Sequence, residues 1–203
     1  MKSSQLQKTI NMKTIRKYFP FFIISLFFMI GSCSGPIDQI DETYGDVELK
    51  KGTIKKSVTL TQEEIDGILF MREEEKLAHD VYVTFYDLYA NKIFLNIAAS
   101  EQRHTEAVLR LINFYGLEDP AKEGIGEFKN QELQDLYDLL MSMGTDLISA
   151  LKVGVLIEET DIEDITALME QTEVKNILQV YGNLLNGSLN HLKSFESTLD
   201  KLE

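Results

Sequence analysis

The feature that most constrains this chain is the unequal spacing of the breaks in its helical periodicity. From Gln62 to Leu202 apolar residues recur every three to four positions, the period of a helix with one buried face. A first run, about Gln62 to Tyr89, is separated from a second, about Ile93 to Tyr115, only by a link around Asn91. So short a link makes two helices antiparallel neighbours. Gly116 to Lys129 is then a long loop carrying Pro120, Gly124 and Gly126, followed by a short run from about Gln131 to Met143 that ends at Gly144. Two more long runs, about Asp146 to Glu170 and about Glu173 to Leu202, meet at a turn near Thr172. Thr61, Glu64 and the pair Leu60/Ile65 form a capping box and staple at the start of the first run. No segment alternates as a strand does. The expectation is an all-α four-helix bundle, residues 60–203, with one long crossover containing a short extra helix.

The stripes that would build its core are interrupted by ionisable residues. In the second run Phe94, Ile97, Ala98, Val108 and Ile112 share a face, and Glu101 and His104 fall inside it, three residues apart. In the last run His191 falls on the stripe of Ile177, Val180, Leu184, Gly187 and Phe195. The chain has only three histidines, so two of them point toward a core. A carboxylate and an imidazole on an apolar stripe are costly unless something pairs with them, and a metal ion or a basic side chain would do so. Glu158 and Glu159 flank the stripe of the third long run. Glu73-Glu74-Glu75 sits in the middle of the first, with Glu74 nearest the stripe centre. Its simplest reading is a solvated acidic run with at least one member exposed. His79, one turn from Glu75, is expected to pair with it at the surface rather than bind metal. Tyr82, Tyr86 and Tyr89 are expected to serve packing.

Residues 1–32 carry five basic residues and no acidic ones, and Phe19 to Ile30 is almost wholly apolar. That length suits the core of a secretory signal better than a membrane span. The run ends in Ile30-Gly31-Ser32-Cys33, with the chain's one cysteine last, and resembles the lipobox of bacterial lipoproteins. The expected organisation is a signal peptide over 1–32, a polar tether over 33–59 beginning at a lipidated Cys33, and the helical domain. With one cysteine, no intramolecular disulfide is available to the fold. Of 20 basic residues, 15 lie beyond the leader against 33 acidic ones, a formal charge of −18. Such a surface repels nucleic acid phosphates. No Gly-rich phosphate loop or nucleophile elbow is present.

Four blocks, Arg72-Glu-Glu-Glu-Lys-Leu-Ala-His-Asp-Val-Tyr82, Ser100-Glu-Gln-Arg-His104, Ile157-Glu-Glu-Thr-Asp-Ile162 and Gly187-Ser-Leu-Asn-His-Leu192, resemble an uncharacterised bacterial family of the ferritin-like superfamily, related to rubrerythrin. The resemblance covers about Leu60 to Leu199. It implies two metals, usually iron, held between four helices. Glu75, with Ala78 and Tyr82 at +3 and +7, matches the first-helix ligand spacing, and Glu74 remains the alternative. Glu101 and His104 match the Glu-x-x-His pair, Glu101 bridging two ions. Glu158 or Glu159 would ligate from the third helix, Glu158 ranking first because Asp161 follows at +3. His191 matches the last ligand. The chain departs from the pattern at Ser188, where a glutamate is expected, leaving three carboxylates and two imidazoles. Such an oxygen and nitrogen set suits iron, manganese or zinc. The implied function is an iron-dependent oxidoreductase or iron-handling protein, ferroxidase- or peroxidase-like, lipid-anchored in the bacterial cell envelope. The alternative is a non-enzymatic helical interaction module with a structural or vestigial metal site.

Overall fold

The structure, a computed structural model, describes residues 59–202. The leader, the lipobox at Cys33 and the tether up to Val58 lie outside the described residues. Five helices follow in order: α1 Gln62–Tyr89, α2 Lys92–Tyr115, α3 Gln131–Met143, α4 Leu147–Glu170 and α5 Lys175–Leu199. Among the described residues there is no strand and no helix long and apolar enough to cross a membrane.

The helix ends follow from local chemistry. Thr61 accepts from the Glu64 N–H while Glu64 Oε2 accepts from the Thr61 N–H, so the expected capping box is formed. Asp146 and Ser149 make a second box, which places Asp146 outside α4 as its cap rather than inside it. The expected last run is shorter than its periodicity, starting at Lys175 and ending at Leu199. Val174 offers no side chain to cap it, and the Thr172 hydroxyl takes the Val174 N–H instead. Gly116 closes α2 at φ +68°, a left-handed conformation that glycine adopts without steric penalty.

The four long helices contact one another in a ring, α1 to α2, α2 to α5, α5 to α4 and α4 to α1. Their directions follow from the residues that share a core. Ile68 and Met71 of α1 pack with Ile112 at the far end of α2, Ile165 and Leu168 late in α4, and Ile177 early in α5. Phe85 late in α1 packs with Phe94 early in α2, Leu151 early in α4, and Phe195 late in α5. So α1 is antiparallel to α2 and α4 to α5, while the connection 116–146 runs the length of the bundle. Within it α3 packs on α1 and α4 as an added outer helix, not a fifth member of the ring. Thr172 to Glu64 (2.6 Å) and Tyr115 to Asn176 (2.6 Å) tie one end together.

The core is therefore two apolar clusters stacked along the bundle axis. Between them lie residues 73–76 of α1, Glu101, His104 and Thr105 of α2, Glu158, Asp161 and Asp164 of α4, and Ser188 and His191 of α5. Each helix contributes to this polar layer by replacing one or two turns of its apolar stripe.

Candidate metal centre

Glu101 is the hinge of the polar layer. Its Oε2 lies 2.8 Å from His104 Nδ1, one turn along α2, and its Oε1 lies 2.7 Å from His191 Nδ1 on α5. His104 Nδ1 also meets Glu75 Oε2 at 3.1 Å, and His191 Nδ1 meets Glu158 Oε2 at 3.5 Å. Two ligand groups result, Glu75/Glu101/His104 and Glu101/Glu158/His191, each with its donor atoms within 4.8 Å of one another. The rings of His104 and His191 lie stacked, 5.5 Å apart at 26°. One carboxylate thus faces two imidazoles, and each imidazole faces a second carboxylate from another helix.

Neighbouring residues fix these side chains. Tyr82, fully buried, donates its hydroxyl to Glu158 Oε1 at 2.6 Å, and its ring packs on Phe195 and Phe94. Gly187 faces the His104 ring so closely that a Cβ there would stand 2.3 Å from Cε1 and 2.4 Å from Nε2. Ser188, where the resemblance expected a glutamate, is wholly buried and hydrogen-bonded to Asp161 Oδ2. A carboxylate of α4 therefore stands against the position at which α5 lacks one.

Two expectations, about the acids of α1 and about His79, need correction. All of Glu73, Glu74 and Glu75 are buried, at 4, 6 and 1 % exposure, so none is solvated. α1 is covered on several sides, by α2, α4, α3 and the crossover, and each acid has a different neighbour. Glu73 accepts from the Lys129 and Asn130 N–H groups at 2.5 and 3.1 Å, at the start of α3, where a helix N-terminus favours a carboxylate. Glu74 turns toward Asp164 and Asp161, and Glu75 toward His104. His79 pairs with Asp80 Oδ1 at 2.9 Å instead of Glu75. Of the alternatives left open by the sequence, Glu75 and Glu158 enter the ligand groups. Glu74 lies beside them, and Glu159 is half-buried outside them.

Burial dominates the electrostatics. It pushes Glu74 and Glu75 well above the carboxylate range, Asp164 adding to the first and Asp161 to the second. Glu158 is pushed up to about 8 by burial and by the charge of Glu101. Asp161 rises to about 7 and Asp164 to about 6, again chiefly by burial. Glu101 is the exception: burial would raise it, but the imidazoles of His104 and His191 hold it at about 2. Burial would lower the histidines, yet their carboxylate neighbours raise His104 to about 11 and His191 to about 9. Without a cation, the protons on the two Nδ1 atoms stand between the carboxylates where positive charge is needed.

The residues fit a metal. Glu75 Oε1, Glu101 Oε1 and His191 Nδ1 are buried and lack a hydrogen bond of acceptable geometry, although the last two approach each other to 2.7 Å. An orphaned buried polar atom costs about 1–3 kcal/mol, and a charged one more. Coordination of a cation relieves that cost. Carboxylate oxygens and imidazole nitrogens are donors that iron, manganese and zinc accept.

Reasoning from the sequence alone missed Asp164, the direct contact of Tyr82 with Glu158, and the fit of Gly187 to His104. Asp164 was signalled by the ladder Glu158, Asp161, Asp164 at steps of three. The other two depend on contacts between helices far apart in sequence.

The family described as "Uncharacterized protein domain (DUF2202)" matches residues 64–202. An uncharacterized protein of Methanocaldococcus jannaschii, MJ0754, is 43% identical over 143 residues, covering 70% of this chain and 77% of that protein. A crystal structure of hypothetical protein MJ0754 from Methanococcus jannaschii DSM 2661 superposes with a TM-score of 0.70 at 40% identity, covering 74% of this chain and 87% of that one. This relative is archaeal, so the expectation of a family confined to bacteria does not hold.

Proposed function

The chain belongs to the family of the uncharacterised DUF2202 domain, and from its geometry we propose that it is a ferritin-like domain binding two transition-metal ions, with Glu101 shared between them. The observation that carries this reading is the pair of ligand groups meeting on one carboxylate, with orphaned buried donors in both. Glu75 and His104 would hold one ion, and Glu158 and His191 the other. Iron is the first choice, with manganese or zinc as alternatives that the same donors accept. Iron bound there supplies one-electron redox chemistry toward oxygen or peroxide, as in a ferroxidase, a peroxidase or an iron-handling protein.

The chain's own residues have definite parts in that reading. The apolar clusters above and below exclude water from the layer, which strengthens every charge interaction within it. Tyr82 fixes Glu158 by hydrogen bonding and leaves the other oxygen of that carboxylate facing His191. Gly187 leaves room for the His104 ring. Asp161, turned by Ser188, adds negative charge beside Glu75. Metal uptake must release the Nδ1 protons of both histidines, so affinity rises with pH. Placement in a bacterial envelope through a lipidated Cys33 belongs to the same proposal and rests on the leader sequence alone.

Elemental analysis of protein purified without added metal tests the reading, together with His104→Ala and His191→Ala. Bound iron, manganese or zinc that falls in both variants is expected, with peroxide or oxygen turnover following iron content. Wild-type protein that holds no transition metal and takes none up sinks it.

A further inference from the structure

The exposed charges of the bundle are divided between its sides. On α1, α3 and α4 eight acidic residues are exposed against one base, Lys152, whereas α2 and α5 expose five bases against two acids, Glu106 and Glu196. The five are Lys92, Arg103 and Arg110 of α2 and Lys175 and Lys193 of α5. Steps of 11 and 7 residues on α2, and of 18 on α5, are close to whole helical turns, so each set lines one side of its helix. None of the five is ion-paired among the described residues, Arg103 donating only to the Ala99 carbonyl. Arg72, Lys76 and Lys129, by contrast, hold Asp119, Asp80 and Glu118. In a chain of 33 acidic and 20 basic residues, five unpaired bases on two neighbouring helices are available to something outside the bundle.

The same two helices form the uncovered side of the bundle. α3 packs on α1 and α4, and among the described residues no helix lies over α2 and α5. Phe94, early in α2, packs on Phe195, late in α5, so the two run antiparallel. Lys92 and Lys193 thus lie toward one end of the face, Arg110 and Lys175 toward the other, and Arg103 between them, next to His104. Uncharged Asn183, Asn186 and Asn190 occupy the exposed side of α5 between its lysines. These helices also supply the ligands of the centre that keep contact with solvent. The side chains of His104 and His191 are 12 and 10 % exposed, against 1 % for Glu75 and 2 % for Glu101 and Glu158. The His104 ring sits in the seam itself, against Gly187 of α5.

We propose that the α2/α5 face docks a small acidic protein that carries single electrons, and that electrons enter the metal centre from it past His104 and His191. This rests on the metal reading above. One electron leaves the reduced carrier and reduces a ferric ion to ferrous, with no bond made or broken. Charge complementarity sets the sign of the partner. Rows of unpaired bases attract and orient an acidic surface, while the acidic sides of α1, α3 and α4 repel it. A face of separated charges and amides, with Leu95 and Leu189 as its exposed apolar residues, suits the small, short-lived encounter of an electron carrier rather than a permanent subunit contact.

The test uses the full chain with a plant-type ferredoxin, a small acidic carrier, as the probe. Calorimetric titration of the metal-free chain with ferredoxin reads docking. Stopped-flow oxidation of reduced ferredoxin by the ferric-loaded chain reads electron entry. Wild-type protein is expected to show both, each weakening as salt is raised. Arg103→Glu and Arg110→Glu should each lower affinity and second-order rate about tenfold, with iron content and Tm unchanged. Arg103→Lys should keep both near the wild-type values. Lys152→Glu, on α4, changes the net charge by the same amount and should leave both unchanged. Wild-type affinity and rate in both arginine-to-glutamate variants overturn the docking face. So does an equal loss in Lys152→Glu, which reports net charge alone, or a wild-type chain that does not bind ferredoxin. A wild-type chain that takes up no iron overturns the metal reading beneath the proposal, and titration of the metal-free chain still decides whether the face docks an acidic protein.

Discussion

Gly187→Ala and Gly182→Ala form a matched pair of perturbations within one helix. Both residues lie inside α5, where alanine is the better helix former by about 0.8–1 kcal/mol. Nothing lies within 4 Å of a Cβ at Gly182, so that substitution should stabilise by nearly the full amount. For a chain of this size that raises Tm by about 2–4 °C. At Gly187 the new Cβ would stand 2.3 Å from His104 Cε1, whereas an ordinary contact begins at 3.4 Å. The imidazole must retreat by roughly 1 Å, and overpacking of this kind costs about 1–3 kcal/mol. The metal-free form of Gly187→Ala should therefore be unchanged or up to about 2 kcal/mol less stable. The larger effect falls on the metal. A ring displaced by that distance moves Nδ1 away from Glu75 Oε2 and Glu101 Oε2, now 3.1 and 2.8 Å distant. Misorienting a ligand lowers affinity about 10–100-fold. Isothermal titration of metal-free protein, with thermal melts in chelator, reads both quantities. If Gly187→Ala is stabilised like Gly182→Ala and binds metal as wild type does, the placement of His104 against α5 is wrong.

Tyr82→Phe removes the bond to Glu158 and should cost the metal-free form about 1–3 kcal/mol in denaturant melts, with weaker metal at the His191 side. Ser188→Glu, at the position where the sequence pattern expected a glutamate ligand, should instead place a second acid against Asp161 at a fully buried position. It should lower stability and leave the number of bound ions no higher, by elemental analysis. Melts across pH should show the metal-free form weakening as pH rises. Glu158, Asp161 and Asp164 have folded values of about 8, 7 and 6, above their unfolded ones, so what they contribute is lost as pH climbs through that range. His191 and His104 extend the loss through about 9 and 11, while Glu101 costs stability only as pH falls toward 2. A metal-free form that gains stability between pH 5 and 9 would contradict this balance, and metal should protect most at the alkaline end.

Helices, their order and the crossover were legible because each rests on local chemistry: a stripe of period 3.6, a cap, a glycine, a link too short to do anything but reverse. Glu101, His104 and His191 were legible because they break such stripes. The choice of Glu75 over Glu74 was not, since adjacent residues point about 100° apart and only the packing of α2 and α4 on α1 decides which neighbour each meets. Burial of the whole run Glu73–Glu75 was hidden for the same reason. The surface reading fails because Glu73 is covered by the crossover, a loop without periodicity, which brings the start of α3 to its carboxylate. Ser188 read as a missing ligand because its partner Asp161 lies 27 residues earlier, on another helix.

The most direct measurement is anomalous X-ray diffraction at the absorption edge of the metal found in the purified protein. The account predicts two peaks, one on each side of the Glu101 carboxylate, the first beside His104 Nδ1 and Glu75, the second beside His191 Nδ1 and Glu158. Metal-soaked crystals with no peak in the polar layer, or with peaks only at surface carboxylates, would contradict it.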